Sequence, residues 1–547
     1  MTGRAPLALA LGFTLAGLAW SFWMAAYSNG THHDDDLCHL QIARWSWDFP
    51  QYLLHEWGRP GFTVLYAIPA QLGWLPARLF SGILTAATAL LAYDVARRQK
   101  VELAPLAAAL VWLQPMVFTL SYTTLTETVM GFYLALAMSL FLRQRYAWSA
   151  AIVALAPLTR HEGVLFCGLW LVALLSRRRP PRDWLWLTWA VLAHNVLSAI
   201  FLDDIPLVRY LRPTATDEYG SGTWWTMLTR WGVAAGGATV LLAIAGAPRT
   251  WRRSGGMLWI TCGAAYFLAH TLFFRFGLFA SGGYERFLVP IAPIVAVAAA
   301  DALSAAWAAI CGVTARRSAD DGAHAMRDVR RGLLLVAVGA ALFWYATFVQ
   351  TPASMLWLLR MVTVAMGAAI FLSLACLALT HAPSRVVRAG GIALCPLLLA
   401  GLVVAQPILA RGVAPPYQQC APLMLGPTEL ALKEAADWLK SQGLDRRYAI
   451  TTNIWFDEFL DIRRSPVEIS SAERFANLRP GDLIIWDRRY GPSSAHHFDL
   501  QRLQSRRDFR EIWHGSPHPY EGVFCYVFEK IEPPASSRPT GSRQSAP

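Results

Sequence analysis

The chain has 547 residues, of which 55% are hydrophobic and only 15% charged, and its formal net charge is +12. Apolar stretches about 20 residues long recur along it, which fits a protein that crosses a bilayer many times and excludes an ordinary soluble enzyme. The basic excess lies in short loops between those stretches rather than in one patch, so it reads as a topology signal and argues against a nucleic-acid partner.

The first apolar run, 6–27, follows Arg4. It is longer than a secretory h-region and no clear small-x-small cleavage site precedes Asn29, so it is expected to remain as an uncleaved first span. Asn29-Gly30-Thr31 matches a glycosylation sequon but lies against the membrane. Next comes His32-His33-Asp34-Asp35-Asp36-Leu37-Cys38-His39. Charge this dense is costly beside a bilayer and marks a functional site, while charge alone is equally compatible with a solvated loop that ends a helix. Leu37 to Trp47 is amphipathic, and Phe62 to Trp74 is apolar but interrupted by Pro69. Both suit helices lying in the membrane interface. Counting 60–74 as a crossing would put Arg97-Arg98 outside and invert every later loop.

Twelve further spans are expected at 76–96, 103–121, 125–142, 147–159, 163–176, 184–202, 232–248, 256–278, 287–311, 332–350, 355–380 and 389–409. The fold class is therefore mainly α, a polytopic membrane protein of about 13 spans. Alternate loops hold Arg97-Arg98-Gln99-Lys100, Arg143 with Arg145, Arg177-Arg178-Arg179, Arg249 with Arg252 and Arg253, Arg316-Arg317 through Arg330-Arg331, and Arg385 with Arg388. Basic loops stay cytoplasmic, which leaves the aspartates and the C-terminus outside the inner membrane. The 24 Trp suit interface anchoring. The eight Cys form no metal-ligand spacing and read mostly as packing residues, with Cys420 and Cys525 as a weak candidate pair.

Composition changes after residue 410. Arg411 to Pro416 reads as a linker, and Glu429 to Gln442 has helical period and ends at Gly443. Tyr448 to Asn453, Leu483 to Trp486 and Phe524 to Phe528 read as strands. The expected organisation is a membrane domain over 1–410, a small external α/β domain over 411–532 and a disordered Pro/Ser/Arg-rich tail over 533–547. No internal repeat is visible.

On the external side of this topology lie Glu127, Arg160-His161-Glu162, Asp203-Asp204, Asp217-Glu218-Tyr219 and Tyr284-Glu285-Arg286. Each alone reads as an interface anchor or local ion pair; together they converge on one face. His194, Asn195 and Asp301 lie deeper and suit hydrogen bonding between helices.

Residues 1–410 resemble the GT-C superfamily of lipid-dependent glycosyltransferases, which includes protein O-mannosyltransferases and aminoarabinose transferases. Asp35, Asp36, His39 and Ala43 match the spacing that follows the family's first span. Gly58-Arg59-Pro60, Thr126-Glu127, Leu158-Thr159-Arg160 and the Tyr284-Glu285-Arg286-Phe287-Leu288-Val289-Pro290 run look like its later landmarks. Some branches carry an Arg where this chain has Ser121-Tyr122-Thr123-Thr124, which leaves the branch, and with it the sugar, open.

The resemblance implies an inverting transferase that moves a sugar, a hexose such as mannose, from a polyprenyl-phosphate carrier to a lipid, glycan or protein. Such a donor has a good leaving group, so one carboxylate acting as base on the acceptor is the chief requirement. Asp35 takes that part, with Asp34 and Asp36 beside it. Arg286, then Arg160, are the cations for the departing phosphate. Asp36 and Glu127 are placed to shape the acceptor pocket or to hold a divalent cation, an addition not every member of the superfamily uses. His39, Arg59, Glu162 and Tyr284 complete the candidate substrate-binding set. The rival reading is a transporter or flippase of lipid-linked sugars, which calls for interrupted helices and charge at the midplane. A third is a structural partner in envelope assembly.

Overall fold

A computed structural model describes residues 5–207, 219–279, 281–314, 319–350, 356–409, 422–464, 471–492, 499–517 and 522–532. The Asp217-Glu218 pair, Arg316-Arg317, the 411–416 linker, Cys420 and the tail from Pro533 lie outside the described residues. The chain divides into two compact units, Met1–Tyr27 with Leu53–Pro422, and Ser28–Tyr52 with Leu423–Pro547.

The first unit is helical. Seven of its helices among the described residues are long and apolar enough to cross a membrane: Ala5–Tyr27, Trp74–Arg98, Thr226–Trp251, Gly256–Arg275, Glu285–Cys311, Met326–Thr347 and Arg385–Val404. Pro181–Leu187 and Trp189–Phe201 form an eighth candidate bent by 49°. The protein is thus a multi-pass membrane protein, but helix length does not establish thirteen crossings. Each expected span contains helix, and several are broken. The 103–121 segment splits into Pro105–Trp112 and Pro115–Leu120, because Pro115 cannot continue the preceding hydrogen-bond ladder. Pro60–Gln71 has 12 residues and exposes Val64 and Ile68. At 1.5 Å per residue it spans about 18 Å, too little to cross a hydrocarbon core of about 30 Å.

Small residues and hydroxyls let these helices approach closely. A Cβ on Gly17 would lie 2.3 Å from the Trp112 ring, and Ser121 Oγ donates to Ser21 Oγ at 2.7 Å. Gln114 Nε2 donates to the Ala292 carbonyl at 3.0 Å. Asp301 is fully buried and bridges helices: Arg253 reaches it at 2.6 and 2.7 Å and Arg249 at 3.0 Å. His194 bonds the Leu54 carbonyl at 2.9 Å, and Asn195 accepts from the Leu207 amide at 2.8 Å.

The second unit carries a four-stranded sheet in the order β1-β2-β4-β3, with β1 Ala449–Thr451, β2 Leu483–Asp487, β3 Phe509–His514 and β4 Cys525–Lys530. β1 and β2 are parallel, and the other pairings are antiparallel. Ile450, Ile484, Trp486, Leu503, Phe509 and Phe528 form its core. Helix Pro427–Ser441 turns Leu432, Ala435, Ala436 and Leu439 inward. Cys525 is buried as a free thiol.

This unit's N-terminal piece, Ser28–Tyr52, carries helix Asp34–Trp45 and the start of the 3₁₀ turn Pro50–Leu54. Leu37, Leu40, Ile42 and Ala43 are buried, and Ile42, Trp45 and Tyr52 pack with Phe49 and Ile454. The amphipathic face expected to rest on the membrane surface is instead covered by protein.

Candidate active site

The acidic run is the first turn of helix Asp34–Trp45, where exposed backbone N–H groups favour negative side chains. His33 caps it, its Nδ1 accepting from the Asp35 amide at 3.3 Å and lying 3.4 Å from the Asp35 carboxylate. The three aspartates have different surroundings. Asp36 is fully buried. Asp34 is 8% exposed, accepts a hydrogen bond from the Tyr490 hydroxyl, and has Arg489 Nη1 at 3.2 Å. Burial, reinforced by the Asp34 charge, pushes the Tyr490 phenol above its ordinary range and keeps it a donor. Asp35 has a side chain 24% exposed, the most open of the three. His39, one turn on, is buried.

The candidate cations lie in the first unit. Arg160 occupies an extended residue between the short helix Ala156–Thr159 and the turn His161–Gly163. Gly163 permits this corner, since a Cβ there would lie 2.3 Å from the Ala156 carbonyl carbon. Arg160 donates to Glu127 Oε1 at 2.8 Å and to Glu162 Oε1 at 3.1 Å. Arg286 Nε lies 3.8 Å from the same Glu127 oxygen. The side chains of Glu127 and Arg286 are 1% and 5% exposed, so these charges interact with little solvent screening.

Aromatic rings frame the pair. The 3₁₀ helix Glu285–Ile291 places Phe287 under the Arg160 guanidinium at 4.3 Å, while Arg286 lies 5.3 Å from the Tyr284 ring. His270 stacks on Phe287 at 5.5 Å and puts Nε2 3.7 Å from Glu162 Oε1. Tyr266, four residues earlier on the same helical face, meets the His270 ring at 4.6 Å.

Arg59 stands beside this cluster. It adopts the left-handed region at φ 60°, uncommon for a residue with a Cβ, and starts helix Pro60–Gln71. Its guanidinium meets His161 Nε2, which also lies 3.8 Å from Glu56 Oε1. The turn is pinned by Tyr133, whose hydroxyl donates to the Gly61 carbonyl at 3.0 Å, and by Thr63 donating to Gly58 O at 2.5 Å.

Of the expected residues, Glu127, Arg160, Glu162, Tyr284 and Arg286 come together, with Arg59 next to them. Asp34, Asp35, Asp36 and His39 form a separate group in the second unit. Sequence reasoning missed Tyr490, Arg489, His270 and Tyr266. A lone ionisable His270 inside an otherwise apolar run was the signal available for one of them. Glu127 does not suit a divalent cation, because its neighbours are Arg160, Arg286 and, at 3.5 Å, the Thr126 hydroxyl. Among the described residues no three His, Cys, Asp or Glu side chains converge as metal ligands.

No family model and no curated protein matches the sequence. Solved structures do match in fold. ArnT from Cupriavidus metallidurans, bound to undecaprenyl phosphate, superposes with a TM-score of 0.52 at 15% identity, covering 94% of this chain and 97% of that one. Its apo state gives 0.53 at 14% identity, with 96% and 98% covered. The arabinofuranosyltransferase AftD from Mycobacteria gives 0.42 at 14% identity, covering 95% of this chain and 41% of that chain. The two ArnT structures show that this chain shares their fold over nearly its whole length.

Proposed function

We propose that the chain is an inverting glycosyltransferase of the external face of the cytoplasmic membrane. It takes a sugar from a polyprenyl-phosphate carrier and passes it to a lipid, glycan or protein hydroxyl. The observation that carries this reading is the half-buried Arg160 and the buried Arg286 sharing the buried Glu127, in a fold shared with ArnT, a protein solved with undecaprenyl phosphate bound.

When the bond from the anomeric carbon to the carrier oxygen breaks, the carrier leaves as polyprenyl phosphate, so the site must hold developing negative charge more than it must protonate an oxygen. Arg286 and Arg160 are the groups for that charge. Glu127 and Glu162 balance both guanidinium groups beforehand, so the donor phosphate competes with carboxylates for the same N–H donors. Phe287 and Tyr284 limit where the guanidinium planes can turn. Asp35, the most open of the three aspartates, is the base that takes the acceptor proton as the hydroxyl attacks the anomeric carbon. Attack and departure on opposite faces invert the anomeric centre. The aspartates and the C-terminal domain belong outside the membrane, as the alternating Arg-rich loops demand.

The deciding assay uses purified full-length protein in detergent with a panel of polyprenyl-phosphate sugars, mannose first and aminoarabinose beside it. Cleavage of a donor with inversion in the product supports the reading. A protein that binds donors but turns none over without a membrane to cross is a transporter, and that result would sink the proposal. Location is tested separately: single cysteines at Ser28 and Ser505 should react with an impermeant reagent in intact cells, and one at Ser254 should not.

A further inference from the structure

The C-terminal domain has no catalytic motif, yet it holds the acidic helix at both ends. At the N-terminal end the contact starts in the sheet. Asp487, the fully buried last residue of β2, accepts the Thr452 hydroxyl and, through Oδ1, the amides of Arg489 at 2.9 Å and Tyr490 at 3.0 Å. The Gly491 amide closes the turn on the Asp487 carbonyl at 2.9 Å. This turn presents Tyr490 and Arg489 to Asp34, with the Arg489 guanidinium 5.1 Å from the Tyr490 ring.

At the other end Gln41 donates to Glu458, and Arg44 reaches Asp461 at 2.9 Å and Glu458 at 3.6 Å. Arg463 bonds Asp48 at 2.5 Å just beyond. The segment leading into the helix is tied as well. The amides of Asn29 and Gly30 donate to the Leu423 carbonyl at 2.9 and 2.8 Å, and the Leu425 amide donates to Asn29 Oδ1 at 2.9 Å. A Cβ on Gly30 would lie 2.3 Å from the Met424 carbonyl oxygen, so the two backbones approach here as closely as only glycine allows.

We propose that Tyr490 and Arg489 are positioning residues for the transferase reaction: by fixing Asp34 they set the rotation of the first helical turn and so the direction of Asp35. The inference rests on the glycosyltransferase reading above and gives the C-terminal domain its task. Two neighbouring carboxylates thereby have separate duties. Asp34 is paired and anchored, while Asp35 has the more exposed carboxylate and faces the acceptor. Without Arg489 and Tyr490 the Asp34 carboxylate loses a counter-charge and a hydroxyl donor, and the first turn loses that hold on its rotation. A displacement of about 1 Å at a reacting group costs on the order of 10² in rate.

The test uses full-length Tyr490→Phe, Arg489→Gln and Arg489→Lys, with two readouts. Backbone hydrogen exchange over residues 34–40 should rise in Tyr490→Phe and Arg489→Gln and stay near wild type in Arg489→Lys. In the transfer assay kcat should fall about 10-fold or more in the first two, with donor KM within about 2-fold, and Arg489→Lys should recover most of it. Unchanged exchange in Tyr490→Phe and Arg489→Gln would overturn the proposal, and so would unchanged kcat alongside raised exchange. A rise in donor KM with kcat intact would also overturn it, since that places the residues in donor binding. Raised exchange in variants of a protein that turns over no donor even as wild type would confirm the anchor and overturn the transferase reading instead.

Discussion

The acidic helix and the arginine cluster are built in opposite ways. Asp34, Asp35 and Asp36 are consecutive, and one helical turn gives each a separate environment: anchored, open and buried. Glu127, Arg160, Glu162, His270 and Arg286 come from four distant stretches and converge through breaks in helices, at Arg160 and at the 3₁₀ segment Glu285–Ile291. A run of like charge cannot neutralise itself, and Asp34 takes its partners, Arg489 and Tyr490, from elsewhere in its unit. The arginine cluster carries its own counter-charges. Removing a charge should therefore have different consequences in the two places: lost chemistry in the first, lost stability as well as lost binding in the second.

The largest effect expected is on rate. Asp35→Asn keeps shape and removes the base, so transfer should fall by about 10²–10⁴-fold while donor binding persists. Asp34→Asn weakens only the anchor and should cost far less. Equal losses in both variants, measured as kcat on folded protein, would break the division of labour between the two carboxylates.

Next comes Arg286. Its fork sits near Glu127 under almost no solvent exposure. Arg286→Ala should raise the donor KM by on the order of 10²-fold, and Arg286→Lys should recover part of that, because charge returns without the planar donors. A donor KM unchanged in the Ala variant removes Arg286 from the phosphate and leaves Arg160 to hold it.

Arg160 should separate the two regions by stability. Arg160→Ala leaves Glu127 and Glu162 facing each other's charge with one buried partner gone, a change that typically costs about 3–5 kcal/mol. Arg160→Ala with Glu127→Gln should be less destabilised than the single variant, since one uncompensated carboxylate is then neutral. Thermal unfolding of both proteins in detergent checks the order. The reverse order would mean that Arg160 is not what keeps Glu127 tolerable in this site.

Most of what could be read in the sequence was local. The aspartate run, the Arg-rich loops and the apolar stretches are each visible within a few residues, and the helix at Pro427–Ser441 shows its own period. Kinks were less visible because proline decides them one residue at a time, as at Pro115. Strand β3 was missed for a physical reason. It is an edge strand whose Arg510 and Glu511 face solvent, so it lacks the apolar alternation that marks inner strands. Tyr490 and Arg489 had no signature either, since a residue that steadies a carboxylate more than 400 positions away looks like any other loop residue. The site residues that could be named were those with unusual charge for a membrane segment. Their partners, His270 and Tyr266, lie inside ordinary helical runs.

The smallest effect expected concerns acid. In the second unit Asp508 is held well below the ordinary carboxylate range, first by its hydrogen bond to Arg506 and then by Lys530, and Glu529 is lowered by Arg510 and Arg447. Both folded values lie under the unfolded ones, so the stabilisation is complete above the unfolded pKa of about 4 and drains away as pH falls through that range towards the folded value. These pairs are partly exposed and each contributes little on its own. Exchange protection of the β3 and β4 amides, corrected for the intrinsic rate, should therefore decline modestly below about pH 4, and Asp508→Asn should flatten that decline. Asp508 is remote in sequence from the acidic helix yet shares its unit, so protection over residues 34–40 in the same experiment sharpens the contrast. If that helix loses protection in step with β3 and β4 in wild type and keeps it in Asp508→Asn, the unit opens as one body. If it loses protection at its own pH in both proteins, the Asp34 anchor yields independently of the sheet.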